Sequence, residues 1–246
     1  MPFLRGVIYA AAQQLPGTEA FLVITNDRWN QTMSQIGVLP VRRDVPEHDI
    51  PYSTPLPDGG QIVASRLVAP DIGPGATPLL GPARGSATEE VLAAVEDKLV
   101  LFLQLERLVV PAPRIPRPVG DATRYPVWGD LYLAGSPIDG ERKRRIVVSP
   151  SAWNALSGLA TLVRTTTAFK LDDVAFPRIQ GGAASACCGD ATTMVHEQVR
   201  LSERERPYPR VATMAEMALV ARGLAATHEL DRAIARLVPG RSAPAR

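Results

Sequence analysis

The sequence predicts a mainly β, α+β protein made of two copies of one unit in tandem, each with its strands first and one helix last. Three observations predict it. Twenty-three prolines and 19 glycines are spread along 246 residues, which favours short strands with many turns over a helical bundle. A strand-and-tryptophan motif recurs in the two halves. A capped, apolar-periodic helix follows each recurrence.

The strands come first. Gly6-Val7-Ile8-Tyr9 matches Gly129-Asp130-Leu131-Tyr132. Next, Phe21-Leu22-Val23-Ile24-Thr25 runs through a short linker into Trp29-Asn30, and Arg145-Ile146-Val147-Val148-Ser149 runs likewise into Trp153-Asn154. Ile36 to Pro40 then matches Ala160 to Arg164. One apolar strand can match by chance, whereas three matches in order at near-constant spacing mark a repeat.

The helices close the copies. Ser86-Ala87-Thr88-Glu89 reads as a capping box opening a helix to about Val110, and Thr213-Met214-Ala215-Glu216 as one opening a helix to about Leu237. Val91, Val95, Leu99, Phe102, Leu103 and Leu105 form an apolar face on the first helix; Met217, Val220, Leu224 and Leu230 do so on the second. Both faces read as core packing. Between the copies, Pro111 to Pro118 holds four prolines in eight residues, which stops a helix and favours an extended spacer. The expected boundaries are 1–110, a linker at 111–124, 125–238, and a frayed tail at 239–246.

Composition narrows the function. A net charge of +2 is too small for a protein that coats nucleic acid generically, so any such site must come from local basic clusters. The two cysteines, Cys187 and Cys188, are adjacent and poorly placed for a disulfide with each other, which fits a reducing cytoplasm. They lie in the Gly/Ala/Ser-rich stretch Gly181 to Gly189, which reads as a flexible loop, and a nucleophilic role for them is only weakly suggested. His48, His196 and His228 are far apart, and no CxxC or HxxxH spacing exists, so neither metal nor cofactor is expected. Met1 to Gln13 lacks the charged-then-apolar pattern of a signal peptide, and no 18-residue apolar run suggests a membrane span.

The repeated unit resembles the MazF/PemK family of toxin endoribonucleases. The family pattern runs from a Gly-led first strand through a Gly-x-Arg-Pro loop to an apolar strand ending in Ser-Asn or Ser-Pro, with an Asn shortly after. A strand ending in Pro-x-Thr, an Asp-Gln pair and a closing helix follow. The resemblance spans nearly all of both copies as a diffuse pattern. It implies a small SH3-like barrel for each copy, and a pair of barrels packed as an intramolecular pseudo-dimer or a homodimer. It also implies single-stranded RNA as substrate, cleavage through the ribose 2′-hydroxyl without metal, and a separate antitoxin protein as partner.

The resemblance assigns site residues chiefly to the second copy. In Gly140-Glu141-Arg142-Lys143-Arg144-Arg145, counting back from Ser149 puts Lys143 at the family's Arg and Arg144 at its Pro, with Arg142 or Arg144 able to take over the charge. In Arg164-Thr165-Thr166-Thr167, Thr166 falls on the family's Thr, and Glu197-Gln198 matches Asp-Gln. Lys143, Arg144 and Thr166 are therefore the candidate catalytic residues. Arg142, Arg164, Thr165, Gln198 and Arg42 are candidates for binding substrate. A solvated charged loop remains an open reading of Glu141 to Arg145. In the first copy Glu19 replaces the Arg and Arg42 the Thr, and a carboxylate there would repel phosphate. Arg42 and Arg43 either bind phosphate or pair with Glu19. This copy reads as a non-catalytic partner, and the imperfect motifs leave open an alternative in which the protein binds RNA or a protein without cutting. Trp29 and Trp153 read as core.

Overall fold

A computed structural model of the chain describes residues 3–108, 125–135, 142–168, 173–179, 182–196, 199 and 210–238. The expected linker at 111–124 and tail at 239–246 lie outside the described residues. In the first half, β1 (Val7–Leu15) and β2 (Thr18–Val23) form a hairpin through Pro16-Gly17. Then come α1 (Asp27–Thr32), β3 (Val38–Arg42), β4 (Ser53–Pro55), β5 (Gln61–Val63), β6 (Leu80–Ser86) and α2 (Glu89–Phe102). In the second half come β7 (Asp130–Gly135), β8 (Arg142–Val147), α3 (Ser151–Ser157), β9 (Leu159–Thr166), β10 (Arg178–Ile179), β11 (Ala184–Val195) and β12 (Arg210–Val211). Helices α4 (Met214–Thr227) and α5 (Asp231–Leu237) follow. The protein is α+β, with two antiparallel six-stranded sheets ordered β4-β5-β3-β2-β1-β6 and β10-β11-β9-β8-β7-β12. Both sheets follow one wiring plan.

The plan extends to individual hydrogen bonds. Gly6 and Gly129 stand at positive φ (79° and 85°), where an L side chain is disfavoured. Each donates its N–H across the sheet, to the Val23 and Val147 carbonyls (both 2.9 Å), and accepts from Ala87 and Ala212 (both 2.9 Å). After the second strand of each sheet a buried hydroxyl bonds an Asn on the following helix: Thr25 to Asn30 and Ser149 to Asn154, both at 2.6 Å. The same hydroxyls accept the amides of Gly37 (3.0 Å) and Thr161 (2.8 Å). Each Asn amide also reaches the chain before its sheet, at Phe3 (3.2 Å) and Pro126 (2.8 Å). Polar groups this deep are tolerated because each finds a partner.

The closing helices are shorter than the periodicity predicts. Both turn at a left-handed residue, Gln104 (φ 55°) and Glu229 (φ 53°), just past the helix cap. Left-handed backbone costs a non-glycine residue about 1–2 kcal/mol. Burying the leucine that follows, Leu105 or Leu230, both fully buried, returns about 2–3 kcal/mol. The break thus redirects the chain so that an apolar residue turns inward. The capping box is present at Thr213 and Glu216. The first helix is capped by Thr88, not Ser86; its side chain accepts from Val91, where no Glu is available to reach back.

One core runs through both halves. Leu22, Leu39, Ile62, Leu99 and Phe102 belong to the same buried cluster as Ile146, Val163, Ala186, Val220 and Leu224. The outer face of each sheet carries a cluster of its own: Phe21, Val23, Ile36 and Val38 on the first, Tyr132, Val147, Leu162 and Met194 on the second. Trp29 and Trp153 are core residues, as expected, and each lies against the opposite half. Trp29 stacks on Phe176 (centroids 5.3 Å apart) and covers Gly189, where a methyl group would overlap the indole. Trp153 packs edge-on against Phe102 (4.9 Å) and donates its Nε1–H to Asp49 (3.2 Å).

The stretch Gly181 to Gly189, expected to be a loop, is largely strand. Ala184 to Gly189 belong to β11, beside β9 and under α4. Small side chains serve there because a helix lies close: the Cys188 thiol is 3.5 Å from the Val220 carbonyl. Cys187 and Cys188 are buried thiols, and burial pushes Cys188 well above the usual thiol range, so it stays protonated.

Candidate functional site

Three of the candidates, Lys143, Arg164 and Thr166, share the outer face of the second sheet, where β8, β9 and β11 run side by side. Arg145 pairs across the ladder with Arg164, and Arg164 with Cys187; Thr166 pairs with Ser185. Alternation along a strand puts Lys143 on the face of Arg145, and Thr166 on the face of Arg164. Arg144 and Thr165 point the other way. Two arginines directly opposite one another repel, so this pair needs a counter-charge.

Asp190 supplies it. In β11 the register shifts between Cys187, opposite Arg164, and Ala191, opposite Val163. Cys188, Gly189 and Asp190 are the extra residues, and such a bulge re-aims a side chain. The Asp190 carboxylate lies 2.5 Å from Arg164 Nε and 3.8 Å from Arg145 Nη1. Asp190 and Arg145 are buried (2% and 4% exposed), while Arg164 is partly exposed. The first half also contributes: Gln35 Oε1 accepts from Arg164 Nη2 at 3.3 Å. Its backbone carbonyl meanwhile accepts the Trp29 indole N–H at 2.7 Å.

The two threonines differ. Thr165 is buried, and its hydroxyl donates to the Arg144 carbonyl (3.1 Å). Thr166 is half-buried, and its oxygen accepts the Ala168 amide (3.2 Å), which leaves its O–H to donate elsewhere. Lys143 is half-buried and Arg144 exposed. Arg142 pairs through its backbone with Gly135 in β7. Gln198 and its neighbour Glu197 lie outside the described residues, as does the loop at 136–141. Arg42 sits in the first sheet, bound to Asp44 through the carbonyl (3.2 Å) and carboxylate (3.5 Å). Arg43 takes the ion pair with Glu19, at 2.6 Å, which raises its pKa further.

The same place in the first sheet is apolar. There the cross-strand pair is Phe21 and Pro40, in the register that holds Arg145 and Arg164 in the second. Sequence reasoning named Arg164 but missed Asp190 and Gln35, and took Arg145 as the start of a strand. The period-2 alternation of Lys143 and Arg145 was the available signal; a bulged Asp and a Gln in the other half carry none.

A second buried polar cluster, around Asp49, joins the halves. Its carboxylate receives Ser65 Oγ and Arg66 Nε, each at 2.6 Å, besides the Trp153 indole. Among the described residues, no group of three or more His, Cys, Asp or Glu is arranged to hold a metal ion, and no helix is long and apolar enough to cross a membrane.

His228, at the C-terminal cap of α4, is fully buried. Its Nδ1 meets the Leu224 carbonyl at 2.9 Å, and Nε2 has no hydrogen-bond partner among the described residues. Burial, with a smaller contribution from nearby Arg5, lowers its pKa to about 4. The unfolded chain binds this proton near pH 6.5, so the stabilisation is complete above that pH and is lost as pH falls toward 4. Urea unfolding should show about 2 kcal/mol less stability at pH 5 than at pH 7 from this group. The His228→Gln variant should lack that increment; an unchanged pH profile would refute the assignment.

No protein-family model matches the chain, and neither does any curated protein sequence. Solved structures similar to it include endoribonucleases and MazF proteins. An endoribonuclease from a mycobacterial species is 16% identical over 46% of this chain and 97% of its own, at a TM-score of 0.34. A MazE–MazF structure (Form III) from Deinococcus radiodurans is 17% identical over 43% of this chain and 98% of its own, also at 0.34. A mycobacterial endoribonuclease in complex with its cognate antitoxin is 15% identical over 41% and 91%, at 0.32.

Proposed function

We propose that the chain is a tandem, two-copy relative of the MazF/PemK toxins that cleaves single-stranded RNA at a site in its second copy. The copies are 1–110 and 125–238, joined by the Pro-rich linker at 111–124 and followed by a tail, each an SH3-like barrel closed by its helices, and they pack as a pseudo-dimer. The hydrogen-bond patterns repeated from Gly6 and Gly129, and from Thr25 and Ser149, support the duplication. The observation that carries the activity is the Arg145–Arg164 pair, with Lys143 and Thr166 along the same face, where the first sheet has Phe21 and Pro40.

In this reading the ribose 2′-oxygen attacks the adjacent phosphorus while the bond from phosphorus to the 5′-oxygen breaks. A 2′,3′-cyclic phosphate and a free 5′-hydroxyl result. One proton leaves the 2′-hydroxyl and one reaches the 5′-oxygen, so the step balances without a metal. Lys143 stabilises the developing charge and assists proton transfer, and Thr166 donates its O–H to a phosphate oxygen, while Arg144, on the opposite face of β8, takes no part in the step. Arg142, Arg164 and Gln198, with Arg42 of the first copy, hold flanking nucleotides; the buried Thr165, bonded to the Arg144 carbonyl, does not. A separate antitoxin restrains the activity.

The carboxylate already bound to both arginines favours a second reading, in which the cluster binds RNA without cutting it. Incubating the purified protein with a long single-stranded RNA in EDTA separates the two. Site-specific cuts with cyclic-phosphate ends, slowed on the order of 100-fold in Thr166→Ala, support cleavage. Intact RNA beside a folded protein transfers the assignment to binding.

A further inference from the structure

Of the three guanidinium nitrogens of Arg164, two have a partner. Nε lies 2.5 Å from the carboxylate of Asp190, on the bulge of the same sheet, as an ion pair without hydrogen-bond alignment; Nη2 donates a hydrogen bond to Gln35, from the first half, at 3.3 Å. Nη1 has no partner among the described residues, and the side chain is 23% exposed. Gln35 is itself anchored, because its carbonyl takes the Trp29 indole N–H and Trp29 seats on Gly189, next to Asp190. The arrangement forms a closed circuit: Arg164 to Gln35, Gln35 to Trp29, Trp29 to the bulge, and the bulge back to Arg164. A planar fork held at two corners presents its third in one direction, which is what recognition of a phosphate oxygen requires.

We propose that Gln35 is a positioning residue for Arg164, so that the first half completes the site of the second. The proposal rests on the reading of that site as one for RNA phosphate. The register partners on the first sheet, Phe21 and Pro40, offer no guanidinium to hold.

The test uses the full ¹⁵N-labelled protein, with the Arg164 guanidinium signals assigned by their loss in Arg164→Lys. A guanidinium held at two corners rotates slowly and gives separate Nη resonances. Gln35→Ala should merge them, and Gln35→Glu, which keeps an acceptor at the same reach, should leave them separate. Merged signals in the unsubstituted protein, or separate ones in Gln35→Ala, overturn the proposal. A parallel assay follows RNA cleavage. Gln35→Ala should lower kcat about tenfold with KM within about twofold, and should add no further loss in the Arg164→Lys background. An undiminished kcat, or an equal further loss in that background, also counts against positioning. If the unsubstituted protein leaves RNA intact, the cleavage reading falls, and the guanidinium signals alone decide the role of Gln35.

Discussion

Asp190→Ala should lower the unfolding free energy by about 3–5 kcal/mol, because it removes a buried carboxylate that lies against two facing arginines. Arg145, 4% exposed, and Arg164 face each other across the ladder with Asp190 beside them. The loss should be read from urea unfolding at neutral pH. Adding Arg145→Phe, which installs the residue type that the first sheet carries as Phe21, should recover part of it. A loss below about 1 kcal/mol would mean that the arginines do not depend on the carboxylate, and an unrescued double variant would point to packing rather than charge.

Trp153→Ala should be comparably severe, at about 3–5 kcal/mol. The substitution empties the space against Phe102 and removes a donor from the buried Asp49 carboxylate. Its effect should also be global. Because one core spans both halves, fluorescence of the remaining tryptophans and far-ultraviolet circular dichroism should report a single shared transition, shifted as a whole. Two separated transitions, only one of them moved, would mean that the halves are stable independently.

Much of this architecture was legible because its signals are local. The apolar strands running into Trp29-Asn30 and Trp153-Asn154 are strands, with a hydroxyl–Asn pair after each, and the hydroxyl at Thr213 marked the true start of its helix. The helix breaks were illegible because Leu105 and Leu230 fit the helical period and also fit a turn into the core; tertiary packing chooses between them. The small residues of β11 looked like a loop because composition does not reveal that a helix will lie over them. The candidate site divides in the same way. Lys143, Arg164 and Thr166 lie within runs that can be compared by eye, whereas Asp190 acts through a bulge and Gln35 through a contact between halves.

The difference between the pair Phe21–Pro40 and the pair Arg145–Arg164 has a genetic consequence. When two identical chains assemble about a twofold axis, every codon change appears on both sides at once, so a charge gained at one seam is gained at the other. A polypeptide that carries both halves in one reading frame escapes that rule. Each half can then be substituted alone: a change at Arg145 alters the second sheet and leaves Phe21 in the first as it is.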